Sequence, residues 1–385
     1  MKIVFVSNYF NHHQKPFSDA MYKRIGGDYS FIETIPMSEE RLKMGWGREI
    51  KPSYVKQNYI NETAKNECQQ LIDEADVVLY GSAPYELFIH RLKKGKLTFK
   101  YSERIYKKGC PYYKLPRHFV LNTKKYRRYK NLYLLCASAY TAADFAKTFT
   151  FANKAYKWGY FPEVKKYDDI DKLIEDKMPN SILWVARFIP WKHPEIAVEI
   201  AKRLKADGYN FQLNMIGNGE LEENIKKMIK DNNLLDCVKM LGAMQPEQVR
   251  EHMVKSEIFL FTSDRNEGWG AVANEAMNSA CAVVASHAIG SVPFLIKDGE
   301  NGLIYKDGDI DALYVRVKKL IEDDSLRKKI ARCAYDTMIA EWNADNAADK
   351  LLNLSNALLV GDKNSFPYLD GVCSKAEVLK DRWWK

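Results

Sequence analysis

Short apolar runs alternate with stretches of helical period through the first 160 residues. Lys2-Ile-Val-Phe-Val-Ser7, Asp76-Val-Val-Leu-Tyr-Gly81, Leu97-Thr-Phe-Lys-Tyr101 and Leu132-Tyr-Leu-Leu-Cys136 predict strands, with helices over 62–75 and 141–149. Continuous apolar strands separated by helices predict a parallel sheet covered on both faces. Residues 165–180 are polar, with Asp168, Asp169 and Asp171 close together and Pro179 near the end, and read as a linker. The alternation then restarts. Ser181-Ile-Leu-Trp-Val-Ala186, Phe211-Gln-Leu-Asn-Met-Ile216, 238–241, 258–261 and 282–285 predict further strands. Pro194 opens a helix at a position that suits its fixed φ, Gly208 ends it, and Ile196, Ile200 and Leu204 share one face. A helix over 220–230 has acids first and lysines later, matching its dipole. Ser325 reads as the cap of a helix running toward Trp342.

The pattern therefore predicts an α/β protein of two successive doubly wound, Rossmann-like units, 1–164 and 181–341, joined by the 165–180 linker and followed by a tail over 342–385. No repeat relates the units at the sequence level. Ligands are expected at the carboxyl ends of the strands.

A length of 385 residues agrees with two or three domains, and 46% apolar with 28% charged residues is the balance of a globular protein. No uninterrupted apolar run approaches the length of a spanning helix, and the apolar start of Met1-Lys-Ile-Val-Phe-Val-Ser7 is shorter than a signal-peptide core. Seven scattered cysteines, with no C-x-x-C pair, predict reduced thiols and a cytoplasmic setting rather than a disulfide framework or zinc site.

Charge changes the picture more. The chain carries +9, yet the window 91–130 holds fifteen Lys or Arg and a single acid, Glu103, so the remainder is net acidic. Phe99, Tyr101, Tyr106, Tyr112, Tyr113, Phe119, Tyr126 and Tyr129 are interleaved with these cations. Such a window attracts phosphate-rich partners: an anionic membrane surface, a diphosphate-linked acceptor or nucleic acid. The plainer alternative is a solvated basic face with no partner.

The chemistry concentrates in Ser263-Asp-Arg-Asn-Glu267-Gly-Trp-Gly270-Ala-Val-Ala-Asn-Glu275-Ala-Met277, which follows a predicted strand and opens a helix near Gly270. Glycines ahead of a helix let backbone N–H groups approach an anion. Glu267 falls on the loop and Glu275 about a turn inside the helix, so the two carboxylates can serve different parts of one extended ligand. Seven residues separate them, and the segment resembles the E-x7-E signature of family-four retaining glycosyltransferases. Val185-Ala-Arg187-Phe-Ile-Pro-Trp-Lys192, Met215-Ile-Gly217-Asn-Gly219 and Asp298-Gly-Glu-Asn-Gly302-Leu resemble other motifs of that family, in the same order. Together they span roughly 182–305.

That resemblance implies the GT-B fold: an N-terminal acceptor-binding domain over 1–164, a C-terminal nucleotide-sugar domain over 181–341, and a crossover helix and tail over 342–385 returning to the first domain, with Trp383 and Trp384 packed there. It implies that Arg187 and Lys192 neutralise a donor diphosphate, that Glu267 contacts the transferred sugar, that Glu275 accepts from the ribose, that backbone N–H groups around Gly268, Trp269, Gly270 and Ala271 hold sugar or phosphate oxygens, and that Gly217 belongs to the donor site. The expected reaction is retaining transfer, of a hexose by preference, from a nucleotide-diphosphate sugar to a glycan or lipid-linked acceptor on the cytoplasmic side of a membrane. The first loop, Ser7-Asn-Tyr-Phe-Asn-His-His13, departs from the family pattern by lacking its glycine pair. His13 could face the acceptor as base or donor, or cap a helix. Glu103 is either an acceptor-side residue or an internal counter-ion. Asp169-Ile-Asp171 and Asp307-Gly-Asp309 match a metal-binding D-x-D but sit in polar turns, so no metal or other cofactor is expected. A nucleotide-sugar epimerase on the same fold and a nucleic-acid-binding protein using the basic window are the competing readings. The second leaves the glycine-flanked glutamates without a role, and no nucleic acid is expected.

Overall fold

The computed structural model describes residues 1–39, 51–361 and 368–384. Two compact units divide the chain: Met1–Glu163 with Asn343–Lys380, and Val164–Trp342 with Asp381–Lys385.

In the first unit, β1 (Ile3–Ser7), β2 (Tyr29–Glu33), β3 (Val55–Gln57), β4 (Val77–Tyr80), β5 (Thr98–Ser102), β6 (Leu132–Cys136) and β7 (Ala155–Lys157) form one sheet in the order β3-β2-β1-β4-β5-β6-β7. Every pairing is parallel. β1 is buried along its whole length because both neighbours and both faces are covered. Phe5 lies between Phe31 and Leu79 in register, and its ring meets Phe31 edge-on at 5.0 Å. The chain returns to this unit through the helix Ala344–Val360, whose N-cap Asn343 accepts from the Asn346 N–H at 2.8 Å. Arg24, at the end of the helix Lys15–Ile25, grips the Asp349 carboxylate through two bonds of 2.6 and 2.8 Å, the Asp345 carboxylate at 2.8 Å and the Asp345 carbonyl at 3.0 Å.

The second unit carries β8 (Met178–Val185), β9 (Gln212–Ile216), β10 (Val238–Gly242), β11 (Ser256–Phe261), β12 (Ala282–Ser286) and β13 (Leu303–Tyr305), all parallel, in the order β10-β9-β8-β11-β12-β13. The strand order reverses between β8 and β11, where a doubly wound sheet opens its crevice at the carboxyl ends. The helix Pro194–Ala206 buries Ile196, Ile200 and Leu204, as the spacing predicts, against Ile182, Trp184 and Met215. Each such aliphatic contributes roughly 1.5–3 kcal/mol by leaving water.

Three expectations are corrected. Residues 165–180 do not stand between the units. Ile170 and Ile174, in the helix Ile170–Glu175, pack with Ala280, Ala331 and Tyr335, and β8 already begins at Met178. Lys177, polar in the sequence, is buried with its ammonium reaching the carbonyls of Val254, Ser256 and Ser279 at 2.9 Å and Met253 at 3.1 Å. The cap of the helix Asp324–Ala340 is Asp323, which accepts from the Leu326 N–H at 2.9 Å, rather than Ser325. The end of the tail, Asp381–Lys385, counts with the second unit, where the Trp383 ring lies 6.4 Å from that of His287.

Candidate functional site

The loops leaving β8 and β11 meet at the point where strand order reverses. Arg187 to Lys192 follow β8, and Thr262 to Gly270 follow β11. Four hydrogen bonds lock these loops and the end of β8 together. The buried Thr262 hydroxyl reaches the carbonyls of Lys192 at 2.7 Å and His193 at 3.2 Å, and accepts from the Trp184 indole at 2.8 Å. The Asp264 N–H donates to the Trp191 carbonyl at 3.0 Å. Thr262 and Trp184 were not singled out in the sequence, because their role depends on a neighbour more than 65 residues away in the chain.

Lys192 and Glu267, separated by 75 residues, form a direct ion pair in which each side chain is 14% exposed. The Ser263 hydroxyl donates to the same Glu267 oxygen at 3.2 Å. Mostly shielded from water, the pair attracts more strongly than a surface pair, and each partner is costly to strand alone. Arg187 is exposed, its guanidinium 5.8 Å from the Trp191 ring centroid. Next to the pair, His193 adopts the left-handed conformation as it opens the helix Pro194–Ala206. Its hydrogen bond to Glu195 at 2.7 Å, aided by Asp264, holds its pKa above the ordinary histidine value.

The glycines do steric work here. Gly217, at φ +138°, would place a Cβ 1.9 Å from the Ala186 carbonyl oxygen, so the turn after β9 can lie against the Arg187 loop only without a side chain. Gly270, at φ +85°, would place a Cβ 2.3 Å from the Phe261 ring. Gly268, Gly270 and Ala271 precede the helix Val272–Asn278.

Trp269, whose backbone N–H is expected to hold donor oxygens, is fully buried and turns its side chain into the core. Its ring lies 5.8 Å from Trp342 and 6.4 Å from Phe294, and its indole donates to Asn274 at 2.9 Å. Gly268 beside it is buried too, and Gly270 is partly exposed.

Glu275 sits half-buried at the end of the first turn of its helix. Burial raises its pKa above the usual carboxylate value, with Arg250 pulling the other way. Arg250, a further residue the sequence did not flag, donates to the Asn278 side chain at 2.8 Å. The sign follows directly. A carboxyl with a raised pKa contributes stability that is complete below its ordinary pKa and is lost as pH rises through the folded value. Glu275→Gln is therefore expected to raise the melting temperature of the ligand-free protein at pH 7–8, with a gain that fades as pH falls into the carboxylate range. The same change is expected to weaken nucleotide binding roughly tenfold, by removing a charged acceptor. A variant no more stable than wild type at pH 8 refutes the first expectation, and unchanged nucleotide affinity by calorimetry refutes the second.

The remaining candidates lie in the first unit. His13 is partly buried beside His12, ring centroids 3.9 Å apart, and stacks on Tyr160 at 5.8 Å. Burial first and the neighbouring His12 second push its pKa down to about 3. It is thus neutral through the physiological range and a weak base. Glu103 receives the Lys107 ammonium at 2.7 Å and the Tyr160 hydroxyl at 2.6 Å. The basic window is not one surface. Arg91 is fully buried, bonding four carbonyls and Thr98, while Arg104 is buried 3.5 Å from Asp144. The paired-aspartate motifs cap helices: Asp169 accepts from Lys172 N–H and Asp309 from Ala312 N–H, each at 2.9 Å.

Residues 165–337 match the family model described as Glycosyl transferases group 1. Over 185 residues the chain is 30% identical to the amylovoran biosynthesis glycosyltransferase AmsK of Erwinia amylovora, a match covering 47% of this chain and 45% of that one. Over 158 residues it is 31% identical to the N-acetylgalactosamine-N,N'-diacetylbacillosaminyl-diphospho-undecaprenol 4-alpha-N-acetylgalactosaminyltransferase of Campylobacter jejuni, covering 41% of each. The chain thus spans less than half the length of these relatives. In structure it resembles HepE of Anabaena in complex with UDP and glucose, with a TM-score of 0.65 at 15% identity over 93% of this chain and 100% of that one. That likeness gives the fold, GT-B.

Proposed function

We propose, from the premise that residues 165–337 belong to the glycosyl transferases group 1 family, that the protein is a retaining glycosyltransferase. It moves a sugar, a hexose by preference, from a nucleotide-diphosphate donor to a hydroxyl of a lipid-linked or cell-surface polysaccharide intermediate. The observation that carries this reading is the Lys192–Glu267 pair at the strand-order reversal, flanked by Arg187 and by the glycine approaches at Gly217 and Gly270. A diphosphate entering there competes with Glu267 for the Lys192 ammonium. Once released, Glu267 is free to accept from hydroxyls of the transferred sugar. Lys192 and Arg187 then face the charge that grows on the leaving phosphate as the glycosidic bond breaks. They supply positive charge by themselves, which supports turnover without a metal. Retention follows if the acceptor hydroxyl attacks from the face the phosphate leaves, with a phosphate oxygen taking its proton. The pairing of Glu267 to a cation and a hydroxyl supports a sugar contact rather than nucleophilic attack. The alpha product in the Campylobacter relative's name supports the same outcome from an α-linked donor. The diphospho-undecaprenol acceptor in that name supports the acceptor class, and the basic window supports work at the inner face of an anionic membrane.

The test is a panel of nucleotide-diphosphate hexoses in a thermal-shift assay, followed by transfer to polyprenyl-diphosphate-linked sugars, with chelator present and absent. Stabilisation by one nucleotide class and an α-linked product, both insensitive to chelator, are expected. Donor converted to its epimer without acceptor replaces the reading with an epimerase. No donor stabilisation alongside tight RNA binding removes the enzyme reading, and a β-linked product removes retention.

A further inference from the structure

The basic window resolves into buried cations and one continuous outer face. The helix Leu115–Asn122 runs into a wider turn over Thr123–Arg127. Its inner row is His118, Asn122 and Tyr126. His118 stacks on Tyr106 at 5.3 Å, Asn122 donates to Thr148 at 2.9 Å, and Tyr126 lies 5.8 Å from Phe145 and 5.7 Å from Phe151. Helical spacing puts Tyr113, Pro116, Val120, Lys124 and Arg127 on the opposite side, with Arg117 and Leu121 on the flanks.

That outer side is unusual in two respects at once. It exposes large apolar groups: Tyr112 is 89% exposed, Tyr113 78%, and Val120 and Leu121 are each open to water. Phe149, 69% exposed, extends the patch, its ring 6.4 Å from Phe119. The side also carries Lys114, Arg117, Lys124 and Arg127, all exposed, and no acidic residue occurs anywhere in 104–130. Two of these cations already lie over rings, Lys114 at 5.7 Å from Tyr113 and Arg127 at 5.5 Å from Phe119. In that arrangement the stem lies along apolar surface and the charge projects beyond it.

We propose that this face, Tyr112 to Arg127 with Phe149, sits in the interface of an anionic membrane, the apolar side chains entering below the headgroups and the cations held at phosphate level. It rests on the membrane side of the function above but adds a part that charge alone does not provide, an inserted apolar element. Charge complementarity selects an anionic surface. Aliphatic Val120 and Leu121 select a bilayer over nucleic acid, since an RNA backbone offers no apolar phase to receive them. Tyrosines at the margin fit the boundary between apolar and wet layers.

The experiment is co-sedimentation of the full chain with vesicles of phosphatidylcholine alone or with one-third phosphatidylglycerol, at low and at ~1 M salt, where exposed charges are screened within about 3 Å. Three proteins are compared: wild type, Lys124→Gln/Arg127→Gln, and Tyr112→Ser/Leu121→Ser. Wild type is expected to bind the anionic vesicles and keep a residual fraction at high salt. The charge pair should weaken low-salt binding roughly fivefold per cation and leave the residual fraction. The apolar pair should lose the residual fraction. Equal high-salt binding by wild type and the apolar pair overturns the insertion, as does equal wild-type binding to neutral and anionic vesicles, or binding to RNA but to neither vesicle. Nucleotide-sugar thermal shifts on the same three proteins should be unchanged, which separates failure at this face from failure of the donor site.

Discussion

Lys192→Ala is expected to lower kcat for sugar transfer about 10²- to 10³-fold, the usual cost of removing one preorganised charge from a developing anion. The Lys192 loop is fixed to the end of β11 by Thr262 and by the Asp264–Trp191 bond, so the side chain has little to reorganise when a donor arrives. Only 14% exposed, it acts where water screens weakly. In the resting protein Glu267 balances it. Under the proposed function a donor diphosphate would replace that partner, and the interaction would strengthen further as the bond to the sugar lengthens. Because the gain is greatest in the transition state, kcat and kcat/KM should fall together. Lys192→Arg should recover part of the loss, since the charge remains while its shape changes. A rise in KM with unchanged kcat would instead make Lys192 a ground-state phosphate clamp. A kcat within twofold of wild type would remove it from the chemistry. Glu267 loses its cation in this variant, so the melting temperature is measured alongside and the kinetics are read at a temperature where both proteins stay folded.

Why the site was partly legible follows from what each residue needs. Gly217 and Gly270 carry a signal that survives in sequence, because a close backbone approach excludes every other residue. The central strands β1, β4 and β6, and the inner parts of β8 (182–185) and β11 (258–261), are apolar runs, since both faces of each are covered. The edge strand β3, Val-Lys-Gln, and the edge strand β7, Ala-Tyr-Lys, have three residues and no such run. They exist because a neighbouring strand is already in place, and nothing in their own pattern announces them. The same holds for partners. Glu267 and Lys192 were each readable as candidates, but their meeting is a tertiary event. Residues 165–180 look like a linker because the inward-facing apolar residues are few, Ile170 and Ile174 with Tyr167 and Leu173 partly buried beside them, and the carbonyls that gather around the Lys177 ammonium come from four other positions.

Trp269 was the opposite case, a residue whose motif suggested ligand contact and whose side chain serves the core. Trp269→Ala is expected to destabilise the second unit by about 3–5 kcal/mol, the range for truncating a fully buried aromatic. The cavity would open between Phe294 and Trp342, whose rings stack at 12° and 6.1 Å and cannot both shift to fill it without breaking that contact. The Asn274 side-chain oxygen would also lose its indole donor inside the core, an added cost because the site is dry. For a unit of this size the loss corresponds to a fall in melting temperature on the order of 10 °C. Trp269→Phe should fall less, since it keeps most of the apolar volume and removes only the indole hydrogen bond. Followed by circular dichroism, the order wild type, phenylalanine, alanine is expected. Calorimetry below the alanine variant's transition should then find nucleotide affinity per folded molecule close to wild type, because in the proposed site the loop backbone, and not the buried ring, would meet the ligand. An alanine variant with wild-type stability and lost nucleotide binding would return the indole to the donor site and make the buried packing of Trp269 a state that the ligand displaces.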